Sequence, residues 1–154
     1  MTRSKTERAV TLHDGGSACS QAVFTVFAED LGMDERQAHK VSGGLGGGIG
    51  RLGRTCGAVT GGVLALSLAY GAENSGDQDA KLATYDLSAR LIRELEKKYG
   101  SVECRILLNG ADLWTQEGRD KVKAENLNVK VCDRIIADTV ELVEKLLPRK
   151  TNNG

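Results

Sequence analysis

The sequence predicts an all-α fold: a single-domain helical bundle around a central apolar helix rich in Gly and Ala. Three observations predict it. Apolar residues recur at helical spacing in several separate stretches. The one proline, Pro148, stands close to the C-terminal end, so glycines rather than prolines punctuate the chain. The only stretch that alternates like a strand, around Val102, Cys104 and Ile106, has no second strand to pair with. At 154 residues the chain has the size of one domain.

Taken in order, residues 1–16 are polar, end in Asp14-Gly15-Gly16 and read as a flexible N-terminal arm. Ser17 suits an N-cap, and apolar residues at 18, 19, 22, 23, 26 and 27 form a helical stripe that Gly32 closes. Asp34 caps a short helix to about Val41. A glycine run over 43–53 follows. Thr55 then caps a helix, 58–70, that is apolar nearly all round and belongs at the centre. A long amphipathic helix spans 79–99, with Leu82, Tyr85, Ala89, Ile92, Leu95 and Tyr99 placed inward. Residues 102–108 read as a short helix. The stretch 110–128 reads as polar connection anchored by Trp114. The last helix, 129–147, carries Ile135, Ile136, Val140 and Val143 on one face, and Pro148 stops it. The expected domain is therefore 17–148, with a disordered tail over 149–154.

Composition narrows the function. Twenty-one basic and 21 acidic residues cancel, and only six aromatic rings are available (one Trp, two Phe, three Tyr). Nucleic-acid binding, which favours a basic excess and stacking platforms, is not expected. The N-terminus has no apolar core of a secretory signal, and no stretch approaches about 18 consecutive apolar residues. These features point to a cytoplasmic protein not embedded in a membrane. Permanent disulfides are disfavoured in that compartment, which turns attention to the thiols.

The four cysteines, Cys19, Cys56, Cys104 and Cys132, stand far apart, each near the start or on the inward stripe of an expected helix. Their spacing lacks the close pairs of zinc sites, the local run of bacterial ferredoxins, the C-x-x-C of thioredoxins and the C-x-x-C-H of covalent haem. Cys56 follows the glycine run and precedes Gly57, Ala58 and Gly61. A sulfur there meets unsatisfied N–H groups at a helix start, so Cys56 is expected to be the most acidic and reactive thiol. Small neighbours leave room for a bulky inorganic group; the bland alternative is a close contact between helices with Cys56 as core filler. Arg54, Arg105 and Arg134 lie near three of the cysteines in sequence and would favour thiolate if turned inward. Gly48-Ile-Gly50-Arg-Leu-Gly53 matches G-x-G-x-x-G, but the residues before it read as helix, where a dinucleotide site requires a strand. No dinucleotide is expected. His13 and His39 read as ordinary surface residues, paired with no nucleophile, and enzymatic activity is left open.

With these residues in view, the chain resembles the redox-active family labelled by its cysteine pattern, C_GCAxxG_C_C. The resemblance runs from Cys19 to Cys132. It includes the Cys19-Ser-Gln-Ala-Val start, the Gly-Gly-Gly-Ile-Gly-Arg loop and Cys56-Gly-Ala-Val-Thr-Gly. The label writes Gly-Cys-Ala where this chain reads Cys-Gly-Ala. The resemblance implies a small helical redox protein. It extends to the cysteine-bearing part of split-Soret cytochromes and so implies an iron–sulfur centre, without the haem-binding part.

The favoured reading is that Cys19, Cys56, Cys104 and Cys132 converge to bind an iron–sulfur cluster for electron transfer with an unidentified redox partner. A homo-oligomer is compatible with it. The rivals are a metal-free thiol–disulfide protein and a binding module whose cysteines are core filler.

Overall fold

The computed structural model describes residues 2–148, so the tail expected over 149–154 lies outside the described residues. Among the described residues the chain is all-α: helices and short helical turns, with one isolated β-bridge and no sheet.

The expected flexible arm is instead helical. α1 (Lys5–Asp14) opens with a reciprocal cap: the Glu7 N–H donates to the Ser4 hydroxyl, and the Ser4 N–H donates to the Glu7 carboxylate. Ala9 is fully buried, with Val10 and Leu12 packed beside it. Salt bridges of 2.7 Å join Lys5 to Asp30 and Arg8 to Glu35. The narrow stripe of Ala9, Val10 and Leu12 is enough to dock α1, and its polar majority hid that stripe in the sequence.

α2 (Cys19–Ala28) buries Val23, Phe24, Val26 and Phe27. It tightens into a turn over Glu29–Leu31 and stops at Gly32, whose φ of 83° is the left-handed stop expected there. Its start differs from expectation. Ala18 is the N-cap, its N–H donating to the Gln21 side chain, while the Ser17 hydroxyl bonds to His39 instead. α3 (Glu35–Val41) is capped by Asp34, as its sequence predicts.

α4 (Gly57–Tyr70) is the centre, packed by α2, by α5 (Gln78–Tyr99) and by α8 (Asp133–Leu146). Gly61 shows how close the packing is. A Cβ there would lie 2.7 Å from the Ser20 carbonyl oxygen of α2, so only glycine lets the two backbones approach this far.

The inward face of α5 matches expectation at Ile92, Leu95 and Tyr99 and differs nearer the helix start. Leu91 and Leu95 are buried and Leu87 packs beside them, whereas Leu82 and Tyr85 are exposed. At about 100° per residue, Leu82 points opposite Leu91, so the two cannot share one inward face.

Beyond α5 come the short α6 (Cys104–Leu107) and then α7 (Gln116–Ala124), capped by the Thr115 hydroxyl. The polar connection expected there thus contains a helix. Its anchor is the buried Val122, not Trp114, which is 67% exposed. A wide π-type turn, Asn128–Cys132, leads into α8.

Two apolar clusters result. The main one holds the α2–α4–α5–α8 core and includes Cys56; the second, smaller one comprises Cys104, Leu108, Ala111, Val122 and Leu127. No described helix is long and apolar enough to cross a membrane.

Candidate metal and redox site

The four cysteines lie along the seam between these two clusters. Cys56 belongs to the main core and Cys19 packs against it; Cys104 belongs to the second cluster and Cys132 packs against that one. All four line one cavity of about 640 Å³, and all four are free thiols.

Each thiol is set by a local device. Cys19 is the first residue of α2, and Cys132 is the last of the π-type turn before α8. Cys56 and Cys104 are brought together by a backbone clip between residues 53–56 and 102–105. The Cys56 N–H donates to the Val102 carbonyl at 2.7 Å, and the Cys104 N–H donates to the Arg54 carbonyl at 2.7 Å. Thr55 and Glu103 form the one antiparallel bridge at its centre. Only Val102 and Glu103 are extended there, against the end of the glycine run; Cys104–Leu107 is the short helix that the sequence predicts.

That run is a left-handed turn. Gly47, Gly48, Ile49, Gly50 and Arg51 all have φ between 60° and 70°. Ile49 and Arg51 hold a conformation that costs a non-glycine residue on the order of 1–3 kcal/mol. Bonds six residues apart hold the turn, such as the Arg54 N–H to the Gly48 carbonyl at 2.8 Å. At Gly48 a Cβ would sit 2.7 Å from the Cys104 Cβ, so the glycine makes the space beside that cysteine. The segment before the run is α3, not a strand.

The thiols are electrostatically unlike. The neighbouring Cys19 thiol holds the Cys132 thiol below its usual range against burial and the Asp133 charge. The same contact, with burial and the other three sulfurs, holds Cys19 well above it. Burial pushes Cys104 up to about 12, helped by Cys56, Cys132 and Glu103.

Cys56 overturns the expectation of an acidic thiol. Burial pushes it up to about 11, outweighing the Ala58 and Val59 N–H groups that favour thiolate. It sits 5% exposed under the helix end, and desolvation of a thiolate costs more than those two donors return.

The comparison with known families bears on this thiol set. The family described as "Putative redox-active protein (C_GCAxxG_C_C)" matches residues 17–146. The chain belongs to this family. No curated protein and no solved structure matches it. The C_GCAxxG_C_C label carries four cysteines, and this chain has four. Because its central element reads Cys-Gly-Ala, Cys56 occupies the N-cap of α4 and Gly57 the first helical position. That glycine lies against α2, where a Cβ would approach Cys19 to 3.2 Å.

The charged surroundings differ from those expected. Arg51, Arg119 and Lys123 line the cavity, and no Asp or Glu does among the described residues. Arg54, Arg105 and Arg134 are not part of the lining; Arg105 pairs with Asp112 at 3.9 Å.

Neither histidine is an ordinary surface residue. His39 bonds to the Ser17 hydroxyl at 2.9 Å and to the Gln21 side chain at 3.2 Å. His13 lines the cavity, with Nε2 3.6 Å from Cys19 Sγ and Nδ1 2.8 Å from the Asp133 carboxylate. A sequence signal for His13 existed: the Asp14-Gly15-Gly16 turn folds the last turn of α1 back onto the first turn of α2, where Cys19 sits. Reading the arm as flexible concealed it.

Proposed function

We propose that this chain is an electron-transfer protein whose Cys19, Cys56, Cys104 and Cys132 hold an iron–sulfur cluster. The observation that carries the reading is that four free thiols from four distant segments line one cavity. The donor set suits the group. Thiolate sulfur is the usual ligand of iron–sulfur clusters, and the cavity's charged lining is cationic, with Arg51, Arg119 and Lys123 and, among the described residues, no Asp or Glu. Gly48 leaves the space beside Cys104 clear. When bound, such a cluster supplies one-electron oxidation and reduction. The protein's part is to desolvate the thiols and fix their spacing.

A second reading rests on the closeness of Cys19 and Cys132, whose sulfurs lie within 4.8 Å of one another. Two free thiols this near suit two-electron oxidation to a disulfide. Anaerobic purification with iron and acid-labile sulfide analysis decides between them. The cluster reading expects a brown protein with iron and sulfide in equal amounts, and colour lost in the Cys56→Ser variant. A colourless, iron-free protein that gains a Cys19–Cys132 disulfide with a mild oxidant would replace it with the second reading.

A further inference from the structure

We propose that the metal-binding set of this cavity includes a nitrogen ligand, His13 Nε2, acting with Cys19 Sγ and Cys132 Sγ. The proposal rests on the reading of the cavity as a metal-binding redox site and adds to its thiol set a residue that precedes the family-matched region.

The three donor atoms all lie within 4.8 Å of one another. That spacing suits donors around a single ion, since thiolate and imidazole ligands sit about 2.3 and 2.0–2.1 Å from zinc. Cys56 and Cys104 join no group of three donors this tight among the described residues. The compact corner of the cavity is therefore mixed sulfur and nitrogen.

The orientation of the ring is the second observation. A carboxylate only accepts, so the 2.8 Å contact with Asp133 makes Nδ1 the N–H donor. Neutral His13 then carries its lone pair on Nε2, the atom facing Cys19 Sγ at 3.6 Å. A carboxylate that fixes the tautomer of a ligating histidine is the usual support behind a metal-bound imidazole. The His13 and Asp133 side chains are only 11% and 14% exposed, so this is a built contact rather than a surface encounter.

Soft or borderline divalent ions suit this sulfur and nitrogen set; Mg²⁺ and Ca²⁺, which prefer oxygen, do not.

The test uses the reduced, metal-free full chain and two probe ions. Titration with Co²⁺ against a competing chelator gives affinity and the thiolate-to-metal absorption. Binding of ¹¹³Cd²⁺ to protein carrying ¹⁵N-histidine reports ligation directly, as a one-bond coupling to the His13 ring. We expect that coupling in the wild type, on Nε2. We expect His13→Ala to weaken Co²⁺ binding about 100-fold or more and Asp133→Asn about 10- to 100-fold.

His13→Ala binding Co²⁺ as tightly as the wild type, or a wild-type cadmium spectrum without histidine coupling, overturns the proposal. Should His13→Ala fail to fold, the wild-type coupling decides alone. A wild type that carries iron and sulfide but binds neither probe ion through His13 overturns this proposal and leaves the cluster reading intact. A histidine-coupled ion in a protein that never takes iron and sulfide supports this proposal and overturns the cluster reading.

Discussion

The thiol electrostatics make a prediction that opposes the usual expectation for a cysteine at a helix start. In the reduced, metal-free protein, Cys56 should be among the slowest thiols to alkylate and Cys132 the fastest. Only thiolate reacts. At pH 7.5 a thiol at its ordinary 9.0 is ionised to about 3%, whereas Cys56, pushed up to about 11, is ionised to about 0.03%. Its rate should fall about 100-fold on ionisation alone, and that of Cys104, at about 12, about 1000-fold. Burial slows both further, since Cys56 is 5% and Cys104 8% exposed. Cys132 is shifted the other way by the neighbouring Cys19 thiol. The assay is iodoacetamide labelling over pH 6–10, read cysteine by cysteine by mass spectrometry. The same shifts make the metal-free fold sensitive to alkali. The folded chain keeps the Cys56 and Cys104 thiols protonated where the unfolded chain would ionise them. Their contribution to stability is therefore complete below about pH 9 and is lost as pH rises toward 11–12. Cys56 labelling as fast as Cys132 at pH 7.5, with stability flat between pH 8 and 11, would refute this account of the site.

Two further predictions concern the scaffold. Gly61→Ala places a Cβ 2.7 Å from the Ser20 carbonyl oxygen, where ordinary contact begins near 3.4 Å. Overpacking of about 1–3 kcal/mol, offset by about 1 kcal/mol of helix preference, leaves a net loss of up to about 2 kcal/mol, or up to roughly 8 °C in Tm. A variant more stable than the wild type in a thermal melt would show that α2 and α4 do not approach this closely. Tyr99 donates its hydroxyl to the Asp138 carboxylate across the α5–α8 contact. Tyr99→Phe should cost about 1 kcal/mol, roughly 2–4 °C by the same melt, and no change would mean that this bond forms only part of the time.

Much of the fold was legible because it is written locally. Asp34 caps α3, and Gly32 and Gly100 stop their helices in left-handed conformations, where the residue types alone announce an end. The apolar body of α4 could belong nowhere but the centre. What was not legible depended on contacts distant in sequence. The face of α5 was misjudged near the helix start because Leu82 and Leu91 are equally apolar, and only packing against α4 and α8 distinguishes them. The short helix at Cys104–Leu107 was legible, but the bridge just before it, at Glu103, was not, because its partner Thr55 ends a glycine-rich segment without strand character. His13 was hidden by a polar helix whose single fully buried residue, Ala9, carries too little signal. At Cys56 the helix-start argument was sound in direction but weaker than burial, and burial is a tertiary quantity.

The seam position explains why the cysteines are scattered rather than paired in a short motif. A C-x-x-C pair places both ligands on one local turn, and the site it makes stands largely independent of the rest of the fold. Here two sulfurs are anchored to the main core and two to the smaller cluster around Val122 and Leu127. The smaller cluster has only five buried residues, so it contributes little apolar area of its own. Backbone clips and the left-handed glycine turn attach it to the main core. A group bound by all four sulfurs would cross-link the two clusters and draw part of its affinity from holding them together. Metal binding and folding would then be linked. The strained turn at Ile49 and Arg51 fits that arrangement, since a conformation that costs energy persists only where surrounding contacts hold it.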